Sequence, residues 1–323
     1  MNRDYRFDIA RAAAMTYVVA FIHLFGYVYN AKSAAHDCIQ GCDVLTASCL
    51  ALFTFVSGYL LGKKYIFGGV EEGSVWQFYK KRLLRIIPLF LLSAFVLWII
   101  GFNNTRATIQ CVLCISPFLR PRPWTLWYIP VILICYLITP IVSRKNFLWR
   151  LISASVIIII ILALGYVFPD IDWRFQYYSF FYLVGLVSAP YSDWKFEKAS
   201  ILKWIIAVLY IGLLVIAHYF SLNVILKRLF SGIGVFALLF MCEGLAKMVF
   251  RKDNVISKMV VDVSYASMAC YLFHRFFFWL AELLLNPTSH GLKWLYMVGF
   301  VFPIIIVLSY YIQFGYDKLI NSL

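Results

Sequence analysis

The sequence predicts an all-α fold: a polytopic transmembrane helical bundle of about ten spanning helices, N-in and C-in. Three observations carry this expectation. Only 14% of the 323 residues are charged and 63% are hydrophobic, whereas soluble domains have roughly 25% and 45–50%. The apolar residues fall into runs of about 20, the length a helix needs to cross the hydrocarbon core. Those runs lack the polar face that a helix on the surface of a soluble domain presents. A soluble enzyme of this length is therefore excluded. One integral-membrane domain over residues 1–323 is expected, with no extra soluble domain.

The first run, 9–29, carries Arg11, Tyr17 and His23, which suits a retained helix. The small residues Ser33, Ala34 and Ala35 behind it make a cleaved signal peptide the rival reading. The second run, 44–62, stops at Lys63 and Lys64. The third, 84–101, follows the basic string from Lys80. The fourth, 124–142, opens on Trp124 and Trp127, residue types that favour the membrane–water interface. The fifth, 147–167, follows Arg144 and Lys145, and the sixth, 175–190, is short and closed by Pro190. The seventh, 201–220, follows Lys195 and Lys198. The eighth and ninth, 226–247 and 262–285, flank Arg251, Lys252 and Lys258, and the tenth, 293–314, precedes Lys318. Segment 104–118 is too short to span and reads as interfacial. The longest connections, 63–83 and 102–123, have about 20 residues each.

Orientation follows from the basic residues, which concentrate on the cytoplasmic side of membrane proteins. Of the 29 Lys and Arg, 19 lie inside and 8 outside if the N terminus is cytoplasmic, with Arg11 and Arg275 within spans. The net charge of +14 is thus largely topological and matches anionic lipid headgroups rather than nucleic acid. The eight cysteines are scattered. Cys38/Cys42 and Cys111/Cys114 are close pairs, but neither has the further His or Cys pair of a tetrahedral zinc site, so no metal is expected. A disulfide between the two loops fits if both face outside the cell.

Ionisable residues inside a span are costly and usually face a cavity or a partner. Asp8 and Arg11 are three apart on one helix face and can pair, while the alternative for Arg11 is snorkelling to the headgroups. His23 lies twelve residues on, about 18 Å along the axis. It reads either as a histidine satisfied by a neighbouring helix or as a general base in a partly dry cavity. His274 and Arg275 sit in the middle of the ninth span, where Arg275 is a helix-to-helix tie or part of a site. Lys81, Arg82 and Arg85 begin the third span. Arg82 and Arg85 share a face suited to phosphate, although a plain cluster of inward-facing positive charge would look the same.

Five stretches together resemble the membrane-bound acyltransferase 3 family, which O-acylates sugars and other cell-surface acceptors. They are Phe7-Asp-Ile-Ala-Arg-Ala12 running on to Val18-Val-Ala-Phe-Ile-His23, then Phe53-Thr-Phe-Val-Ser-Gly-Tyr-Leu-Leu61, then Arg82 to Pro88, then Trp124-Thr-Leu-Trp-Tyr128, and last Ser264-Tyr265 through Tyr271-Leu-Phe-His274. They occur in the family's order from residue 7 to 275. One departure stands out. The family places ten residues between its first-helix Arg and His, whereas eleven separate Arg11 from His23. One residue rotates a side chain by about 100°. The helix has a local bulge, or the subfamily uses the shifted position, or His23 is not catalytic. The second is favoured, because no other His is nearby.

The resemblance implies a multi-pass enzyme of the bacterial inner (plasma) membrane, with no bound cofactor. Acyl-CoA, most simply acetyl-CoA, is its cytoplasmic co-substrate, and a surface polysaccharide or lipid-linked sugar is its acceptor in the cell envelope. Lys81, Arg82 and Arg85 would hold the CoA phosphates. His23 would deprotonate the acceptor hydroxyl, or form an acyl-histidine. Asp8 would orient Arg11, and Arg11 or Arg275 would stabilise developing negative charge. His274, Arg275, Trp127 and Tyr128 would line the cavity or acceptor site, with the aromatic belt as the competing role for the last two. The alternative function is a transporter or exporter of a polysaccharide or small anion. A third reading is a non-catalytic scaffold of a polysaccharide synthesis complex. No second copy of the Asp8 to His23 pattern, which an inverted repeat would supply, stands in the latter half.

Overall fold

The computed structural model describes residues 4–28, 42–66, 74–189, 200–220, 222–250 and 254–322. Among them the regular elements are all helices. In chain order these are α1 (Tyr5–Val28), α2 (Asp43–Lys64), α3 (Val75–Ile99), α4 (Thr105–Val112), α5 (Tyr128–Val142) and α6 (Phe147–Val167). They continue with α7 (Trp173–Ser188), α8 (Ser200–Tyr219), α9 (Val224–Val249), α10 (Val255–Leu284) and α11 (His290–Asn321). Each of the ten apolar runs is a helix, and eight are long and apolar enough to cross a membrane. The protein is a polytopic helical membrane protein.

The fourth and sixth runs depart from expectation. α5 has 15 residues and α7 has 16, about 22–24 Å at 1.5 Å per residue, which is short of a hydrocarbon core of roughly 30 Å. α5 is buried along most of its length and α7 along half, so many of their apolar residues pack against protein, while Leu137, Ile141 and Phe180 stay exposed. Trp124 and Trp127 precede the first helical residue of α5.

Other helices outrun their apolar cores. α3 begins at Val75, nine residues before the apolar run, so Lys81, Arg82 and Arg85 lie within the helix. Gln, Lys and Arg are good helix formers, and hydropathy does not register them. α10 begins at Val255 behind a capping box. There Asn254 accepts from the Ser257 amide, and Ser257 Oγ accepts from the Asn254 amide.

The chain forms two compact units, Met1–Phe53 with Phe196–Leu323, and Thr54–Lys195. In the first unit α10 packs on α1 and α11, while α9 packs on α1 and α8. Met15, Val19, Leu24, Cys270, Phe278, Met297, Val301 and Ile305 form its apolar core. A second cluster, Val44, Tyr210, Ala217 and Ala237, includes a polar tie in which Tyr210 donates to Ser48 Oγ at 2.7 Å. Glu243 on α9 takes Lys203 at 2.9 Å and Lys247 at 3.3 Å. Tyr5 stacks on Phe250 at 4.0 Å, fixing the start of α1.

In the second unit, α5 and α6 pack on α7, and the C-terminal half of α2 crosses α7 backbone to backbone at Gly58, Gly62 and Gly185. Small residues allow that approach, a common device for joining membrane helices. Arg150 on α6 is buried and donates to the carbonyls of Leu186 (3.1 Å), Gly62 (3.5 Å) and Arg144. It satisfies carbonyls at the ends of α2 and α7 that would otherwise be orphaned. Thr139 and Tyr182 share a hydroxyl–hydroxyl bond of 2.6 Å between α5 and α7.

Candidate active site

The first helix organises one cluster. Asp4 caps it by accepting from the Arg6 amide and binding the Arg6 guanidinium, at 2.9 Å from Nε and 2.6 Å from Nη2. Asp8, one turn in, is buried and accepts from Ser264 Oγ of α10 at 2.9 Å. Arg11 follows on the next turn, half-buried.

Beyond Thr16 the helix changes character. Residues Tyr17–His23 form a π-helix, after which α-helix resumes at Leu24. A π segment closes hydrogen bonds one residue further along than an α-helix does, so it takes up one inserted residue. This corrects the favoured expectation about the Arg11–His23 spacing. The eleventh intervening residue is absorbed by a bulge in the helix. A second π segment, Met297–Val301, interrupts α11, and its Met297 and Val301 pack in the same core as Val19 and Leu24.

The bulge delivers His23 to α10. His23 Nδ1 stands 2.7 Å from Nε2 of His274. The ring planes differ by 8° and the centroids lie 4.8 Å apart. A face-to-face stack would hold all atoms at about 3.5 Å or more, so a nitrogen contact of 2.7 Å makes this an edge-to-edge pair in nearly one plane. His274 is fully buried, and its Nδ1 lies 2.8 Å from the Tyr271 carbonyl and 3.1 Å from that of Cys270. His23 is half-buried.

Arg275, next in sequence, places its guanidinium carbon 5.4 Å from the ring centroid of Tyr27, and Tyr27 packs on Phe278. Tyr27 was missed at the sequence level. It lies four residues after His23, and that same-face spacing was the available signal. Ser264 was recognised only as part of a motif, since a hydroxyl that answers a carboxylate on another helix leaves no local trace. His290 Nδ1 reaches the Val28 carbonyl at 3.0 Å, and Lys293 pairs with Glu282 at 2.6 Å.

The second unit holds the basic residues. Lys81 and Arg85 are exposed on α3, and Arg82 is half-buried. The Arg82 guanidinium lies 5.5 Å from the Tyr65 centroid, and the Lys64 ammonium lies 5.6 Å from the same ring. Arg82 Nε is shielded from solvent and meets no acceptor among the described residues. Trp127 and Tyr128 stand at the start of α5. Arg174 lies 4.3 Å from the Trp127 centroid, and Tyr178 stacks on Trp127 at 5.4 Å. Buried Asp172 holds Arg174 at 2.6 Å and Arg122 at 3.4 Å. Trp127 is therefore already engaged by a cation and a ring, whereas Trp124 is 77% exposed.

The described residues contain no group of three His, Cys, Asp or Glu arranged to hold a metal. Cys42, Cys111 and Cys114 are free thiols, and Cys38 lies outside the described residues. Burial pushes the Cys111 and Cys114 thiols up from their ordinary range.

These features define a class: a helical membrane protein with a hydrogen-bonded histidine pair carried on two of its spanning helices. The family model described as an acyltransferase domain matches residues 4–314, nearly the whole chain, and the protein belongs to that family. Neither the curated proteins nor the solved structures compared with the chain gave a match.

Proposed function

We propose that the protein is a membrane-bound O-acyltransferase that moves an acyl group, in the simplest case acetyl, from cytoplasmic acyl-CoA to a hydroxyl of a surface polysaccharide or lipid-linked sugar. The observation that carries this reading is the His23–His274 pair in a chain of the acyltransferase family. An imidazole held on one nitrogen, with the other left for a substrate proton, is suited to general-base work near neutral pH.

His23 takes the proton of the acceptor hydroxyl as that oxygen attacks the thioester carbonyl. The tetrahedral intermediate then collapses with cleavage of the C–S bond, and the CoA sulfur leaves with the proton held by His23. Arg275, next in sequence to the His274 that bonds His23, is the cation proposed to stabilise the transient oxyanion, since fixed charges act strongly where water is scarce. Arg11, about 18 Å along α1 from His23, acts on that charge only at long range. Asp8, anchored by Ser264, orients Arg11. Arg82 and Arg85, with Lys81, bind the CoA phosphates. The Nε–H of Arg82, solvent-shielded and without an acceptor among the described residues, supports that role, because guanidinium groups meet phosphate through paired hydrogen bonds. The excess of basic residues on one side supports both termini in the cytoplasm, and the membrane proposed is a bacterial inner membrane. His274 is proposed as the neighbour of the base, and Trp127 and Tyr128, in the second unit, as residues for the acceptor.

The test is label transfer. Membranes containing the protein are supplied with radiolabelled acetyl-CoA, and ester-linked label is measured in the glycan and lipid-linked sugar fractions. Alkali-labile incorporation that depends on the protein and disappears in His23→Ala is the expected result. Incorporation unchanged in a folded His23→Ala protein overturns the assignment of the base. The absence of acyl transfer, with export of unmodified glycan instead, overturns the enzymatic reading in favour of transport.

A further inference from the structure

The bonds around His274 determine which nitrogen of His23 is basic. The Nδ1 of His274 faces two backbone carbonyls, Tyr271 at 2.8 Å and Cys270 at 3.1 Å. A carbonyl oxygen only accepts, so Nδ1 of His274 carries a hydrogen. In a neutral imidazole the other nitrogen is then an acceptor. That nitrogen, Nε2, lies 2.7 Å from Nδ1 of His23, and two lone pairs do not face each other at that distance. The hydrogen between the rings therefore belongs to His23, whose Nδ1 donates and whose Nε2 holds the free lone pair. A cationic His274 would satisfy the same carbonyls, but only by placing an ion in a fully buried position beside Arg275.

We propose that His274 is a positioning residue that holds His23 in its Nδ1–H form, so that the Nε2 of His23 is the base. This rests on the reading of His23 as the general base. Free histidine in water favours the opposite tautomer, so the helix carbonyls of α10 act through His274 to select the less common one. The near-coplanar ring geometry aligns the Nδ1–H bond with the His274 lone pair. When Nε2 takes the hydroxyl proton, His23 becomes an imidazolium and its bond to His274 becomes charge-assisted and stronger. The support thus rises with the charge that the reaction creates. The arrangement parallels the carboxylate that holds a catalytic histidine in serine hydrolases, with a neutral ring in place of the carboxylate and backbone carbonyls orienting that ring.

The full-length protein in lipid nanodiscs, with isotope-labelled histidine, allows nitrogen NMR to read the protonation of each ring nitrogen. Signals are assigned by substituting the five histidines one at a time. The expected spectrum has His274 protonated at Nδ1 only and His23 protonated at Nδ1 only. His274→Leu should release the His23 tautomer and lower kcat for acetyl transfer by about 10²-fold, the scale of a general base's contribution, with the KM for acetyl-CoA little changed. His274→Gln offers an amide oxygen near the place of Nε2. It should restore the Nδ1–H form and bring kcat back to within about tenfold of the native value. A native spectrum with His23 protonated at Nε2, or with both His274 nitrogens protonated, overturns the proposal whatever the activities are. Full activity of His23→Ala would instead overturn the general-base reading while leaving the tautomer spectrum as it is, so the two failures are distinct.

Discussion

The crossing of α2 and α7 sets a severe limit on side-chain size. Gly58→Ala would place a methyl carbon 2.1 Å from the Tyr182 carbonyl oxygen, 3.0 Å from its carbon and 3.3 Å from the Leu186 nitrogen. All three are backbone atoms of α7, so no rotamer change relieves the contact and the helices must part. Overpacking of this kind costs about 1–3 kcal/mol, and alanine's better helix propensity returns at most about 1 kcal/mol. Separation also stretches the bonds of Arg150 to Gly62 and Leu186, and a buried carbonyl left unsatisfied costs about 1–3 kcal/mol more. The net loss for Gly58→Ala is therefore about 1–6 kcal/mol. Gly212→Ala on α8 and Gly244→Ala on α9 are the controls. A Cβ at either position meets nothing within 4 Å, so each should be neutral or slightly stabilising. The apparent melting temperature of the full-length protein in detergent, read as loss of the monodisperse species, orders the variants. A Gly58→Ala protein melting at or above the native temperature would refute the reasoning.

Three further outcomes are expected. Ser264→Ala removes a hydroxyl donor from the Asp8 carboxylate and should destabilise by about 1–3 kcal/mol; thermal unfolding checks this, and Ser264→Thr should recover part of the loss. The Arg82→Ala/Arg85→Ala double variant should raise the KM for acetyl-CoA at least tenfold while lowering melting only slightly, because Arg85 is exposed and Arg82, half-buried, loses one contact with the Tyr65 ring; an unchanged KM excludes them as phosphate ligands. Burial raises the Cys114 thiol, which lowers its thiolate fraction at any given pH. Its alkylation, followed by mass spectrometry, should therefore be slow at pH 7 and reach half its maximal rate above the ordinary thiol value of about 8.5, and half-maximal labelling at or below that value would contradict the burial.

The spanning helices were legible because hydropathy over about 20 residues reports a single physical requirement, the crossing of hydrocarbon. It failed where another requirement governed. α5 and α7 are apolar but short, and much of their apolar surface packs against protein. The start of α3 was hidden because Lys80, Lys81 and Arg82 are helical without being apolar. The site was legible as residue types: Asp8, Arg11, His23 and His274 all stood out as expensive groups inside apolar segments. Their partnerships were not, since the sequence separation of 251 positions between His23 and His274 leaves no spacing rule to join them. A local bulge is one of three accounts of the odd Arg11–His23 spacing, and nothing in Tyr17-Val-Val-Ala-Phe-Ile-His23 distinguishes its π segment from ordinary helix. Only the packing of α1 against α10 settles the register.

Donor binding tests the central claim most directly. The purified full-length protein in lipid nanodiscs is titrated with radiolabelled acetyl-CoA, comparing the native chain with His23→Ala and with Arg82→Ala/Arg85→Ala. Saturable binding by the native protein, kept by the His23 variant and lost by the arginine variant, is the predicted result, with the arginines gripping the donor and the histidine reserved for chemistry. No binding by a native protein shown to be folded would contradict the account and make His23 and His274 residues of a transport pathway.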